Sequence, residues 1–223
     1  MMKITHIEHS GFSVELTNMV LLFDWYKGSL PAFDPKKEIY VLVSHRHPDH
    51  YSEKIWKLSE CYPKIHYILH KGICKKPPHE ILAVRAHETY SLDRIQIHTL
   101  LSTDEGVAYL IQAENKTIFH AGDLNLWYWK GEPETDNKWQ TGTYHAEINR
   151  LKGTHINAAF LTLDPRQEEN ATLGMEYFLR NIMVDHVIPM HYWNAREKAM
   201  SYLDTGALRP FADKIHFEKE LLL

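Results

Sequence analysis

Apolar residues come in short runs over the first half of the chain. Residues 3–8, 12–16, 20–24 and 39–43 are rich in Val, Ile, Leu and Phe, with Gly11, the Thr17-Asn18 pair and Pro31 between them. Runs of this length and punctuation predict strands. Residues 52–59 place Ile55, Trp56 and Leu58 inward and predict a helix. Further strands are expected at 65–69, 81–86, 94–100, 107–113 and 117–120, with Glu114-Asn115-Lys116 as the hairpin turn between the last two. The pattern lapses over 123–143, where Trp127, Tyr128, Trp129 and Trp139 stand among Gly, Pro and acidic residues; an irregular loop of that length is often functional. Beyond it the order changes, with helices expected near 144–151, 173–184 and 194–203, strands at 158–163 and 186–189, and a closing strand at 214–218. A strand-rich first half and a helix–strand second half predict an α/β protein, two packed mixed sheets with helices on both outer faces. No linker and no repeat at 20–50 residue spacing divides the chain, so residues 1–223 are expected to form one domain.

Composition adds little to that picture. At 223 residues, 44% hydrophobic and 24% charged, the chain has apolar material for an ample core. Its net charge of -4 supplies no basic field to gather phosphates, which disfavours nucleic acid as a partner. Cys61 and Cys74 are too few for a disulfide framework and lack metal-ligand spacing, so one is expected as a buried small residue and the other as a loop thiol. The start has no apolar signal core and no run reaches membrane-spanning length, giving a cytoplasmic expectation with no membrane partner. Sixteen histidines exceed what any one site uses, so their arrangement has to decide.

The decisive run is Val41-Leu42-Val43-Ser44-His45-Arg46-His47-Pro48-Asp49-His50. An apolar strand ends and four potential ligands follow within six residues. Side chains alternate along extended backbone, which sends His45 and His47 to one side. Pro48 keeps His47 extended, and the turn towards residue 52 brings Asp49 and His50 back to the same mouth. Imidazole and carboxylate donors without thiolate suit zinc, manganese or iron. A polar loop with histidines there by chance is the bland alternative, and for four ligands in six residues it loses.

This run resembles the hallmark of the metallo-β-lactamase superfamily, and the resemblance extends over nearly the whole chain. His9-Ser10-Gly11-Phe12 with Leu21-Leu22-Phe23-Asp24 is similar to the opening hairpins of its ascorbate-6-phosphate-lactonase-like branch. Phe119-His120-Ala121-Gly122-Asp123 and Val187-Ile188-Pro189-Met190-His191 resemble that branch's later motifs. The resemblance implies an αββα sandwich with two divalent metals, zinc or manganese or else iron, at one edge. It assigns His45 and His47 to the first metal, Asp49, His50 and His191 to the second, and Asp123 to both. Spacing alone leaves Asp123 equally open as a turn residue and favours His191 as an ordinary strand-end histidine.

One departure stands out. The family supplies a third histidine to the first metal from a segment whose counterpart here is Ser102-Thr103-Asp104-Glu105-Gly106. Asp104 is then the candidate oxygen ligand, or Ser102 holds a water, and the first site is expected to be only partly occupied. His9, Trp127 and Arg166 are candidates for the substrate pocket, against bland roles as turn residue, aromatic plug and surface ion pair. Asp24 and His120 are candidates to orient ligand imidazoles. Two metals ~3.5–4 Å apart hold hydroxide at neutral pH and polarise a carbonyl or phosphoryl oxygen. Asp49 and Asp123 are the expected catalytic carboxylates, Asp49 as proton shuttle. The expected activity is hydrolysis of a small ester, lactone or phosphorylated metabolite; a phosphodiesterase or nuclease and a non-catalytic metal-binding protein are the rivals. A homo-oligomer is left open.

Overall fold

The structure is a computed structural model, and it describes residues 1–73, 76–204 and 206–223. Cys74 lies outside the described residues, and Cys61 is exposed. By their contacts the residues form two compact units, Met1–Glu88 with Glu218–Leu223, and Thr89–Phe217.

The first unit holds strands β1 (Lys3–Glu8), β2 (Gly11–Glu15), β3 (Met19–Phe23), β4 (Glu38–Val43), β5 (Ile65–His70), β6 (Ile81–Val84) and the chain's last strand, β13 (Glu220–Leu222). They form one mixed sheet in the order β13-β1-β2-β3-β4-β5-β6. Pairing is antiparallel from β13 to β3, with short turns joining β1 to β2 and β2 to β3, and parallel from β3 to β6, where longer crossings join neighbours. Central parallel strands are covered on both faces and need apolar residues at every position. That is why Met19–Phe23 and Ile39, Tyr40, Val41, Leu42 and Val43 read as continuous runs, and all ten are buried. The segment expected as a helix at 52–59 is a 3-10 helix, Glu53–Glu60, whose Ser52 side chain caps Lys54 N. Its Ile55 and Leu58 join Val20, Val41, Tyr67 and Leu69 in a core cluster.

The second unit holds β7 (Thr89–Leu92), β8 (Ile95–Leu101), β9 (Val107–Ala113), β10 (Lys116–His120), β11 (His155–Thr162) and β12 (Met183–Met190), in the sheet order β12-β11-β10-β9-β8-β7. Here too the sheet is mixed, parallel from β12 to β10 and antiparallel beyond. The hairpin turn read from sequence is present: Glu114 and Asn115 both have positive φ between paired Ala113 and Lys116. Strand β7 was not anticipated; a run of four residues beside Asp93 and Arg94 carries too little apolar signal.

Helix α1 (Glu134–Asn149) begins ten residues earlier than the pattern suggests, so the irregular stretch is shorter than expected. Its first turns are polar and include Gly142, leaving a helical period visible only from Tyr144 onward. Pro133 before it and Glu134 and Asp136 in the first turn suit a helix start. Helix α2 (Leu173–Asn181) stops short because Met183–Met190 is one long strand, and α3 (Arg196–Ser201) is shorter than the 194–203 expected. The closing strand expected at 214–218 is instead the end of a 3-10 segment, Gly206–Lys214, with a single bridge between Ile215 and Val187. Among the described residues, no helix is long and apolar enough to cross a membrane.

Candidate metal centre

In parallel sheets, ligands gather beyond the carboxyl ends of the strands. Both units follow that rule. In the first, β3 runs out at Phe23 into Asp24 and β4 at Val43 into Ser44. Asp24 N donates to Leu42 O at 3.0 Å, which sets the two ends side by side. The Asp24 carboxylate, fully buried, accepts from Ser44 N at 2.8 Å, from Ser44 Oγ at 2.6 Å and from His50 Nδ1 at 2.7 Å. A carboxylate only accepts, so the Ser44 hydroxyl must donate to it. Ser44 Oγ, 2.9 Å from His45 Nδ1, is then left to accept from that ring. One aspartate thus puts the proton on Nδ1 of His50 directly and of His45 through Ser44, leaving both Nε2 atoms as lone-pair donors. This is how metal-ligating imidazoles are usually prepared.

The rest of the run folds back as its spacing suggested. Tyr51 N and His50 N both donate to His47 O, closing a turn after Pro48. His45 Nε2 stands 3.0 Å from His47 Nδ1, and the rings of His45 and His50 lie 4.1 Å apart. His9, Asp49 and His50 each offer a ligand atom within 4.8 Å of the other two. His9 Nε2 stands 3.4 Å from Asp49 Oδ2. Burial pushes the Asp49 carboxyl up, but the hydrogen bond from His9 and the charge of His50 outweigh it and hold Asp49 well below the usual carboxylate range. His45 and His50 are fully buried, while His47 and Asp49 are half-buried.

In the second unit, β10 ends at His120 and Asp123 follows one turn later. Ala121 N donates to Phe160 O, and His120 Nδ1 accepts from Gly122 N at 3.2 Å, so His120 shapes this turn. Trp127 Nε1 donates to Asp123 O at 2.9 Å, and its buried ring meets His191 edge-on. His191, the residue after β12, places Nε2 3.6 Å from Asp123 Oδ1. Asp104 is exposed, and its carboxylate offers an atom within 4.8 Å of one on Asp123. Ser102 Oγ accepts from Asp104 N rather than pointing elsewhere. Asp104, Asp123, Trp127 and His191 therefore form one group within this unit.

Arg166 forks onto the buried Asp164 through Nε and Nη2 and lies 4.9 Å over the Trp193 ring. Asp164 also accepts from His191 Nδ1 at 3.0 Å. Neither Asp164 nor Trp193 stood out in the sequence. The available signal was an aspartate just after a strand, two residues past β11 where Asp24 is one past β3. Burial raises the Asp164 carboxyl, and the hydrogen bonds from His191 and Arg166 bring it down to about 2. His9, Asp24, His191 and Trp193 all have positive φ, a region non-glycine residues rarely enter and that clusters at functional sites.

The model of the β-lactamase superfamily domain matches residues 3–128, more than half of the chain. The chain belongs to the metallo-β-lactamase superfamily. Within it, a UPF0173 metal-dependent hydrolase of Desulforamulus reducens is 28% identical over 217 residues, covering 86% of this chain and 84% of the relative. The metal-dependent hydrolase YtkL of Bacillus subtilis is 27% identical, with 86% of both chains covered. Among solved structures, the metallo hydrolase Igni18 of Ignicoccus hospitalis superposes with a TM-score of 0.66 at 16% identity, covering 100% of this chain and 99% of that one. This likeness shows the superfamily's α/β fold, two mixed sheets with helices.

Proposed function

We propose that this metal-dependent hydrolase of the superfamily acts on a small ester, lactone or phosphorylated metabolite, with two divalent metals held by His45, His47, Asp49, His50, Asp123 and His191. The observation that carries the reading is the buried Asp24 carboxylate, which presents the Nε2 lone pairs of His45 and His50 together. Burying a carboxylate and two imidazoles in this order serves ion binding better than it serves packing, since fold stability is gained more cheaply with apolar residues. Three imidazoles and a carboxylate in the first unit make a donor set suited to zinc, manganese or iron. The pairing of Asp123 and His191 with that set comes from the superfamily resemblance, as does the lactonase-like branch. Asp104 stands in the place of the missing third histidine, and its hard oxygen favours manganese or iron at the first site.

A divalent metal in such a site polarises a carbonyl or phosphoryl oxygen and makes water acidic enough to ionise near neutral pH. The chain's own groups do the rest. Asp49 is ionised at neutral pH and reaches solvent, so it can take a proton at Oδ1 or Oδ2 and return it to a leaving group. His9 Nε2, 3.4 Å from Oδ2, steadies that carboxylate. Trp127 supplies an apolar wall and fixes the Asp123 carbonyl. The net charge of -4 fits a small substrate better than a polyanion.

The test is turnover of a panel of lactones, thioesters and cyclic nucleotides by zinc- and manganese-loaded protein, with His47→Ala as control. Hydrolysis of a lactone or ester that disappears in His47→Ala supports the reading. Turnover of cyclic nucleotides alone points to a phosphodiesterase, and tight metal binding with no turnover points to a non-catalytic metal protein.

A further inference from the structure

We propose that Asp164, braced by Arg166, is the positioning residue for His191, fixing its ring in the tautomer that presents Nε2 towards Asp123. The inference rests on the reading of His191 as a metal ligand. Its geometry lies wholly within the second unit. Strands β11 and β12 run parallel in register to Thr162 and Met190, and Leu163 N donates to Met190 O one step further. The two chain ends therefore leave the sheet together, Asp164 from one and His191 from the other. Asp164 caps the 3-10 segment that follows it, accepting from Arg166 N at 3.0 Å, and Pro165 suits the first position of that segment. The carboxylate is fully buried and its two oxygens receive four donors: Arg166 N, Nε and Nη2, and His191 Nδ1.

A carboxylate in contact with Nδ1 holds a proton there, which leaves Nε2 as the ring atom that would meet a metal. Nε2 faces Asp123 Oδ1 at 3.6 Å. The ring is also gripped on its sides, by Trp127 at 5.5 Å and Trp193 at 5.6 Å between centroids, both edge-on. Arg166 stacked on Trp193 ties the brace to that grip. Without Asp164, His191 could rotate or carry its proton on Nε2, and either change removes the donor atom. Asp164 thus stands to His191 as Asp24 stands to His50.

Replacing Asp164 by Leu tests this with volume roughly conserved. An Asn would keep its oxygen towards Arg166 Nη2 and His191, whereas Leu leaves His191 Nδ1 with no acceptor and Asp123 Oδ1 as the carboxylate beside Nε2. Partners of this kind change metal affinity by roughly 10- to 100-fold. The first readout needs no variant: ¹⁵N NMR of histidine-labelled wild-type protein should show His191 protonated at Nδ1. In Asp164→Leu the Nδ1 proton should be lost, and zinc affinity measured by chelator competition should fall roughly 10- to 100-fold. Arg166→Gln, which leaves the acceptor in place, should keep the tautomer and lose less affinity. A wild-type His191 with no proton on Nδ1, or a Leu variant with an unchanged Nδ1 proton and unchanged zinc affinity, overturns the proposal. If His191→Ala binds zinc as the wild type does, the ligand reading fails instead, while the tautomer measurement still decides the brace.

Discussion

Replacing Asp24 reaches two ligand imidazoles through one buried carboxylate. Asp24→Ala deletes the acceptor of Ser44 N–H, the Ser44 hydroxyl and His50 Nδ1–H. The hydroxyl can turn to His45 Nδ1, 2.9 Å away, but the other two donors stay buried. Each buried donor left unsatisfied costs about 1–3 kcal/mol, so the pair costs about 2–6 kcal/mol. Alanine at φ 43 adds about 1–2 kcal/mol that aspartate or asparagine largely avoids. Against a total stability of about 5–15 kcal/mol this is a large loss, and the melting temperature should drop by roughly 6–30 °C. Asp24→Asn separates folding from ligation. Its amide oxygen still serves Ser44 N–H, so stability should fall by only about 1 kcal/mol. Its amide nitrogen, however, faces His50 Nδ1 and Ser44 Oγ as a donor. His50 must then carry its proton on Nε2, and Ser44 is turned to donate to His45 Nδ1 with the same result. Zinc affinity should fall at least 10- to 100-fold, the usual size for one such partner. Urea unfolding of the metal-free protein and chelator competition measure the two effects separately. An Asn variant that binds zinc as tightly as the wild type refutes the relay, and so does an Ala variant of unchanged stability.

Other outcomes follow from the same geometry. Asp123→Ala should weaken metal binding at both sites if Asp123 bridges them, and loss of one metal alone in a titration would show that it does not. Asp104→His should tighten zinc at the more labile site, read as slower exchange to a chelator; unchanged exchange would remove Asp104 from the metal's surroundings. Metal-free protein should lose stability in acid as Asp164 protonates. The folded carboxyl is held down to about 2, below the ordinary aspartate range, so the contribution is complete above about pH 4 and fades as pH falls towards 2. The loss is on the order of 2 kcal/mol, and Asp164→Asn should show a shallower acid limb in urea titrations.

The parts of this architecture legible in the sequence are those where local chemistry and tertiary demand agree. Strand β9 was read residue for residue at Val107–Ala113, and β1 at Lys3–Glu8, because both are apolar runs bounded by turn formers. The ligand turn was legible because all four candidates sit within six residues, where geometry is local. Asp24 was a candidate imidazole partner, against a bland role as a strand-end cap, and its bond to His50 has the form of the first. Asp164 was not, since nothing in its neighbours announces that His191, 27 residues away, comes to rest on it. The left-handed backbone at His9 and His191 is equally silent, since their side chains give no hint of it. Helix α1 was half hidden because its first turns lack an apolar stripe.

The central claim is that His45, His47, Asp49 and His50 are ligands of a catalytic metal. Anomalous diffraction from crystals of the protein loaded with two equivalents of zinc or manganese tests it most directly. The account predicts metal peaks bonded to Nε2 of His45 and of His50, with His47 and Asp49 completing the coordination from this unit. Metal bound at other residues, with those four side chains ligating nothing, would contradict it.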